Sequence, residues 1–240
     1  MMKEGVMRVV KLKLYQNLCN YRREGSFGYV QTYPLPTPSM IKGMAHSLLG
    51  LNEYKPLKIS IQGESDGVVT NIQKVYKFGR DPKNRPQNPY IVMIGNSEKT
   101  ATHGMMFVDL HINVRLIIHI HFDEENLNEE LVNKIKEATV VLGRNEDIAR
   151  IDEAKLVEVK EPTERRVKTR YPMYVIPDSL IEKTGTAFRL PFYYQNVESF
   201  DENRVFKFVD VNYIGKDVPL KKDLVNVDSD NDIICWLGLN

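Results

Sequence analysis

HINVRLIIHIHF, residues 111–122, alternates apolar and polar side chains almost throughout. Alternation at a period of two marks a β-strand with two unlike faces. Ile112, Val114, Leu116, Ile118, Ile120 and Phe122 fall on one face. His111, Asn113, Arg115, His119 and His121 fall on the other, with Ile117 as the exception. The pattern predicts a sheet with one core face and one polar, partly basic face. A helix is predicted directly afterwards. Asn126 is placed to cap it, Glu129 and Glu130 sit in its first turn, and Leu127, Leu131 and Ile135 form its apolar stripe.

Upstream, residues 6–15 alternate as a first strand with Val10, Leu12 and Leu14 on one face. A loop containing Arg22, Arg23, Gly25 and Gly28 leads into YPLPTPSMIKGMAHSLLG, residues 33–50. Pro34, Pro36 and Pro38 hold the incoming chain extended, because proline fixes its own φ and bars the preceding residue from helical angles. Thr37 is a good N-cap, Pro38 suits the first helical position, and Gly50 ends the run. Met40, Met44 and Leu48 form one apolar row and Ile41, Ala45 and Leu49 the next, while Ser39, Lys42 and His46 line the opposite face. A helix N-terminus beside Ser, Lys and His suits a phosphate, and a solvated polar face is the other reading of the same residues.

Residues 57–62 and 68–78 read as strands, as do 138–142 and 151–159 around the loop GRNEDIA. The order strand, helix, strand, strand, helix, strand predicts an α+β, ferredoxin-like (RRM-like) domain over residues 1–160. Between its two middle strands lies an excursion, residues 72–110, too long for a hairpin turn. Its first part sets Lys74, Lys77, Arg80, Lys83 and Arg85 against Asp81, a local charge of +4. These cations interleave with Tyr76, Phe78 and Tyr90, the composition of a single-stranded nucleic-acid groove, with an ordinary solvated basic loop as the alternative. Residues 160–170 read as a basic linker, and 161–240 as a small β-rich C-terminal region.

Lys plus Arg total 33 and Asp plus Glu 32, so the net charge of +1 excludes a global polyanion-binding signature. Two cysteines with no pairing motif, and no signal peptide, point to a reducing cytoplasm. No apolar run is long enough to span a membrane. His119 and His121 share a strand face, but no carboxylate or Cys partner is placed to complete a metal site. There is no Walker loop, dinucleotide fingerprint or nucleophile elbow, so no cofactor is expected.

The run YVQTYPLPTPSMIKGMAHSLLG resembles the first strand-to-helix segment of the CRISPR-associated Cas family 5 proteins of the RAMP superfamily, including the internal helix glycine, here Gly43. TVVLGRNEDIARI, residues 139–151, resembles that family's Leu-Gly-Arg-Ser-Glu-Asp motif, with Asn145 in place of Ser. The two motifs stand in the family's order, flanking a basic excursion that matches its β-hairpin thumb. The resemblance covers residues 6–159, and the size is most like the type I-B members. It implies a subunit of the Cascade surveillance complex that grips the 5′ handle of the CRISPR RNA (crRNA). The large subunit and the first backbone subunit would be its partners, and target DNA would be met indirectly through the complex. It assigns a palm role to Arg22, Arg23, Gln31, Tyr33, Ser39, Lys42 and His46, and a thumb role to Lys74, Lys77, Arg80, Lys83 and Arg85. Arg144 either binds RNA or braces its loop. The alternative is the metal-independent endoribonuclease of type I-C, for which Tyr33, Lys42 and His46 are the residues available for acid–base work.

Overall fold

The computed structural model describes residues 7–26, 28–80, 90–164, 166–194 and 205–238. Its first half contains β1 (Arg8–Cys19), β2 (Tyr29–Val30), α1 (Pro38–Leu49), β3 (Leu57–Glu64), β4 (Gly67–Arg80), β5 (Tyr90–Ile94) and β6 (Ser97–Phe122). Then come α2 (Glu125–Glu137), β7 (Val140–Val141), β8 (Ile148–Lys160), β9 (Arg166–Lys168), β10 (Met173–Val175), β11 (Thr186–Tyr194) and β12 (Phe206–Ile214). The chain closes with β13 (Pro219–Lys221), β14 (Asn226–Asp228) and β15 (Ile233–Ile234). The fold is thus mostly β-sheet with two α-helices among the described residues.

The stretch 111–122 is the last part of β6, the axis of the sheet. β3, β6, β1 and β8 lie side by side in that order, each neighbouring pair antiparallel. Both helices pack on one face. There Ile41, Met44 and Ala45 of α1 and Leu127, Leu131 and Ile135 of α2 close over Leu12, Leu14, Ile59, Leu116, Ile118 and Ile120. The apolar side of residues 114–122 is therefore the core side.

α1 forms where the sequence places it. Thr37 is the N-cap, its side chain accepting from the Met40 N–H, and Gly50 takes the left-handed conformation at φ 67° that ends the helix. α2 starts before the expected Asn126 cap, with Glu124 in the capping position and no side-chain bond there. Asn128 grips the preceding strand instead, bonding both the N–H and the carbonyl of Phe122 at 2.9 and 3.1 Å.

The second face of the sheet is not the open polar surface that the alternation predicts. Lys11, Ser60, Gln62 and His119 are each at most 1% exposed, covered by the run from β14 through Leu237. Lys11 Nζ lies 2.6 Å from Asp228, 2.8 Å from Asp230 and 2.6 Å from Asp232. His119 Nε2 bonds Asp228 at 3.0 Å, Gln62 donates to the Ile233 carbonyl at 2.8 Å, and Ser60 accepts from the Cys235 N–H at 3.1 Å. Buried polar groups are tolerated when partnered, and residues 228–235 supply these partners.

The alternation also slips at Asn113, whose φ of 50° breaks the two-residue period. His111, expected on the face of His119, therefore turns towards the core side. It bonds the Tyr33 carbonyl at 2.8 Å and Ser65 at 3.0 Å.

Residues beyond 160 add to the same sheet. β10 pairs with β3, β12 with β10, and β11 forms the far edge, where Leu190 and Phe192 enter the main core and the strand packs on α1. The excursion is built as an arm. β4 pairs with β6 from Gly67 opposite Ile112 to Arg80 opposite Thr100, and β5 pairs with β6 from Tyr90 to Ile94. Residues 97–104, inside the excursion, are strand, since β6 begins at Ser97. A polar strand lacks the apolar alternation that would reveal it. Among the described residues no helix is long and apolar enough to cross a membrane.

Burial pushes the Asp228 carboxyl up, but the hydrogen bonds from His119 and Lys11 outweigh it and hold the group well below its ordinary 3.8. A depressed carboxylate stabilises the fold above its ordinary pKa and loses that contribution as pH falls through the folded value. Lys11→Ala removes the buried cation from among three carboxylates, of which Asp228 keeps His119 and Asp230 keeps Lys155, and is expected to cost about 3–5 kcal/mol near neutral pH. Urea denaturation checks this, with the gap to the parent narrowing as pH falls below 3.8. An unchanged urea midpoint at pH 7 would refute the clamp.

Candidate nucleic-acid interface

α1 carries Ser39, Lys42 and His46 on one side, but that side is not bare. The loop after the helix brings Tyr54 over it, and the end of β11 brings Tyr193 and Tyr194. Tyr54 and Tyr193 stack at 4.1 Å between ring centroids with planes 13° apart, and His46 lies parallel to Tyr54 at 6.2 Å. Lys42 Nζ sits 5.7 Å from the Tyr54 ring and 5.2 Å from the Tyr194 ring, within cation–π range. With Phe206, these residues line a cleft of about 430 Å³.

His46 is buried, which corrects its expected exposure on the helix. Its Nδ1–H donates to the Lys42 carbonyl at 3.0 Å, and its Nε2 accepts from the Lys55 N–H at 3.1 Å. Burial, reinforced by the nearby Lys42 charge, pushes its pKa down to about 4. The imidazole is neutral, with both nitrogens occupied in joining the helix to the loop after it.

Tyr33 lies elsewhere. It is 7% exposed, its ring packs on Phe188 at 5.9 Å, and the Arg23 guanidinium sits 5.5 Å from its centroid. Phe188, beside Tyr33, and Tyr193, which bears on Tyr54 and so on His46, are five residues apart on β11. That separates the two neighbourhoods by roughly 16 Å of strand. The structure does not bring Tyr33 together with Lys42 and His46. Arg22, Arg23 and Gln31 are exposed on the loop leading to Tyr33, where Arg22 pairs with Thr32 and the Arg23 N–H bonds the Gln31 carbonyl at 3.0 Å.

On the arm, alternation divides the expected cation cluster. Lys74 shares a face of β4 with Tyr76 and Phe78, whereas Lys77 belongs to the opposite face. Lys74 Nζ lies 5.0 Å from the Tyr76 ring and 5.9 Å from Tyr90. Tyr76 stacks with Phe78 at 6.2 Å, and His103 from β6 joins at 5.4 Å from Tyr90. Tyr76 and Phe78 are 47% and 60% exposed, so these rings are open to a partner. Arg80 ends β4 opposite Thr100, while Lys83 and Arg85 lie outside the described residues.

Arg144 braces its loop. The Asp147 carboxylate, 1% exposed, accepts from the Arg144 guanidinium at 2.7 Å, from the Arg144 N–H at 2.9 Å and from the Asn20 N–H at 2.9 Å. The guanidinium also reaches Gln73 of β4 at 3.1 Å, tying the loop to the arm's root. Gly143 has φ 113°, and a Cβ there would lie 2.7 Å from Asp147 Oδ2 and 2.8 Å from the Asn20 carbonyl, so the motif needs glycine.

Reasoning from sequence missed Tyr54, Tyr193, Tyr194, Phe206 and His103. Only the aromatic richness of FRLPFYY, 188–194, hinted at the first cluster.

The family model described as CRISPR-associated protein (Cas_Cas5) matches residues 9–204. No curated protein matches the chain. Among solved structures, a chain from a CRISPR RNA-guided surveillance complex superposes with a TM-score of 0.56 at 16% identity, covering 88% of this chain and 91% of that one. A CRISPR protein from Archaeoglobus fulgidus gives a TM-score of 0.47 at 9% identity, covering 98% and 100%.

The His46 ring is expected to stay neutral at pH 6, with an NMR titration midpoint near 4. A midpoint near 6.5, the ordinary histidine value, would show the ring to be solvated and not buried beside Lys42. Gly143→Ala is expected to lower stability on the order of 1–3 kcal/mol through backbone strain alone, measured by thermal unfolding.

Proposed function

Because this chain belongs to the CRISPR-associated Cas5 family, its model matching residues 9–204, we propose that it is a crRNA-binding subunit of a type I surveillance complex. In this reading it works in the cytoplasm as a non-catalytic scaffold that grips the 5′ handle and anchors the large and backbone subunits, closest in kind to type I-B. Target DNA is reached only through the assembled complex. The order β3–β6–β1–β8, with both helices on one face, supports a ferredoxin-like RAMP core, and the β4–β6 arm supports the thumb.

The observation that carries the proposal is the exposed set on the arm. An ammonium, Lys74, stands beside the open rings of Tyr76, Phe78 and Tyr90. Cations serve the phosphates of a single strand and rings stack on its bases, without a demand for sequence. Lys77 on the opposite face of β4 adds a second cation to the arm, and by sequence Arg80, Lys83 and Arg85 belong to the same proposed contact set. Arg22, Arg23 and Gln31 supply the second contact region near Tyr33, and Ser39 and Lys42 of α1 the third. Arg144 serves this surface by holding the loop at the arm's root. The endoribonuclease alternative gains nothing from the geometry, since His46 is neutral and bonded at both nitrogens and Tyr33 stands apart from it.

The test is incubation with labelled cognate precursor crRNA in EDTA, resolved on native and denaturing gels, for the chain alone and with its partner subunits. A shifted, intact RNA is expected. Tyr76→Ala should weaken binding by about 1–3 kcal/mol. Lys74→Glu and Lys77→Glu should each flatten the salt dependence, by about 0.7 in log–log slope for every phosphate left unneutralised. A discrete product ending in a cyclic phosphate and lost in His46→Ala would overturn the scaffold reading.

A further inference from the structure

The basic stretch 160–170, a linker by its composition, is built into the fold as an edge strand. Among the described residues β9 pairs with β13 alone. Val167 stands opposite Leu220, and the Thr169 N–H donates to the Val218 carbonyl at 3.1 Å. Val167 and Thr169 thus turn their backbone groups towards β13. Successive residues of an antiparallel strand turn to alternate sides, so Arg166 and Lys168 aim their N–H and carbonyl groups away from it. Pro219, opposite Lys168, agrees with this, since proline has no N–H to offer.

The side chains alternate as well. Val167 and Thr169 are buried, while Arg166, Lys168 and Arg170 are exposed. Lys160 and Lys216 are paired with Glu158 and Glu64, but none of those three cations forms an ion pair among the described residues. Arg166 also stands directly opposite Lys221, a destabilising like-charge arrangement, and the Lys221 ammonium turns instead to the Asp178 carbonyl at 2.8 Å. A groove of about 580 Å³ is lined by β9, by Val227 of β14 and by Ile233 of β15, but by no residue of β13. It therefore runs along the free edge of β9.

We propose that this groove is a docking site for an extended acidic segment of a partner protein, which joins β9 as an added strand. The inference goes beyond the crRNA-binding reading and does not depend on it.

Three features select such a segment. The outward N–H and carbonyl groups of Arg166 and Lys168 call for acceptors and donors together, and an extended peptide supplies both. A phosphate chain supplies acceptors only and would set anionic oxygens against the carbonyls. The register then fixes the side chains, because residues directly opposite on paired strands share a face. Carboxylates opposite Arg166 and Lys168 meet the unpaired cations. The residue between them falls on the side of Val167, whose apolar cluster includes Ile233, and is suited by an apolar side chain. Glu164 and Asp217 also line the groove, so two placed carboxylates fit it better than an unbroken run of negative charge. Finally, cations on a free edge deter apolar and basic strands. The row that guards the edge thereby admits an acidic partner, which is specificity by rejection of the others.

The probe is a synthetic peptide alternating glutamate and valine. A fully N-methylated copy and a lysine–valine copy accompany it. Each is titrated onto the full chain and followed by fluorescence anisotropy and amide hydrogen exchange. The glutamate–valine peptide is expected to slow exchange at Arg166 and Lys168, and the N-methylated copy, which has no N–H to pair, is not. The double variant Arg166→Glu with Lys168→Glu should weaken binding by roughly 2- to 30-fold, the worth of two solvent-exposed ion pairs. It should take up the lysine–valine copy instead. Its melting temperature should equal or exceed the parent's, because glutamate at 166 faces Lys221. Equal binding of the N-methylated copy would reduce the site to charge attraction and overturn the added strand. Unchanged binding by the double variant would place the peptide elsewhere and overturn the site. Protection of the same amides by a single-stranded oligonucleotide and not by the peptide would make the groove a nucleic-acid contact. That result, or no peptide binding at millimolar concentration, overturns the proposal and leaves the crRNA reading of the arm as it stands.

Discussion

The Lys11 ammonium stands at 0% exposure among the carboxylates of Asp228, Asp230 and Asp232, and the rest of the architecture follows from that contact. A charge taken out of water is tolerated only with close partners and satisfied hydrogen bonds. Burial pushes the lysine's pKa down, and the three carboxylates more than reverse it, so the ammonium is retained. Asp228 is fixed in turn by His119 and by the N–H groups of Asp230 and Asp232, so the acidic loop cannot shift without breaking several bonds together. The first strand of the chain is thereby locked to its last strands. With that run on one face of the sheet and two helices on the other, both broad faces are occupied by protein.

This occupancy limits where a nucleic acid can be met. An open sheet face is the surface on which many RNA-binding domains display their stacking rings. Here that surface is internal. The crRNA contacts proposed above are therefore left to the arm of β4, β5 and β6, the loop before Tyr33, and the side of α1 that faces the end of β11. The arm presents Tyr76 and Phe78 with Lys74 on one face, and its root is held by Arg144 through Gln73. The cleft presents rings from Tyr54 and Tyr193 beside Lys42, held by a neutral His46. The two regions use the same chemistry on separate scaffolds.

In LGRNED, residues 142–147, the arginine is engaged within its own loop. Arg144 faces Asp147, whose carboxylate also caps Asn20 at the end of β1. Gln16 adds bonds to the Leu142 and Asp147 carbonyls at 2.8 and 3.1 Å, and Tyr21 bonds Gln16 at 2.7 Å. A guanidinium so engaged defines the shape of the loop beside the arm, and of its two possible roles the brace is the one its bonds describe.

Local signals were legible where cause and effect lie within a few residues. Thr37, Pro38 and Gly50 delimit α1 because capping is settled by the nearest backbone groups. Leu127, Leu131 and Ile135 face the core because a helix repeats every 3.6 residues. The strands read at 6–15, 57–62 and 111–122, which correspond to parts of β1, β3 and β6, and their order with the helices, were legible for the same reason. What escaped was every contact whose partner is far along the chain. His119 was readable as polar and as sharing a face with His121, but the residue that buries it, Asp228, is 109 positions away, and Lys11 meets Asp232 across 221. Asn113, one residue in the left-handed region, turned His111 to the opposite side from His119, and no periodicity rule registers such a slip. Composition and spacing determined both helices, the strands around 6–15, 57–62 and 111–122, and the cations and rings of the excursion. Only the tertiary structure decided which polar face is sealed, which cations share a surface, and that α1 meets the aromatic end of β11, because those outcomes depend on long-range packing that leaves no mark on the local pattern.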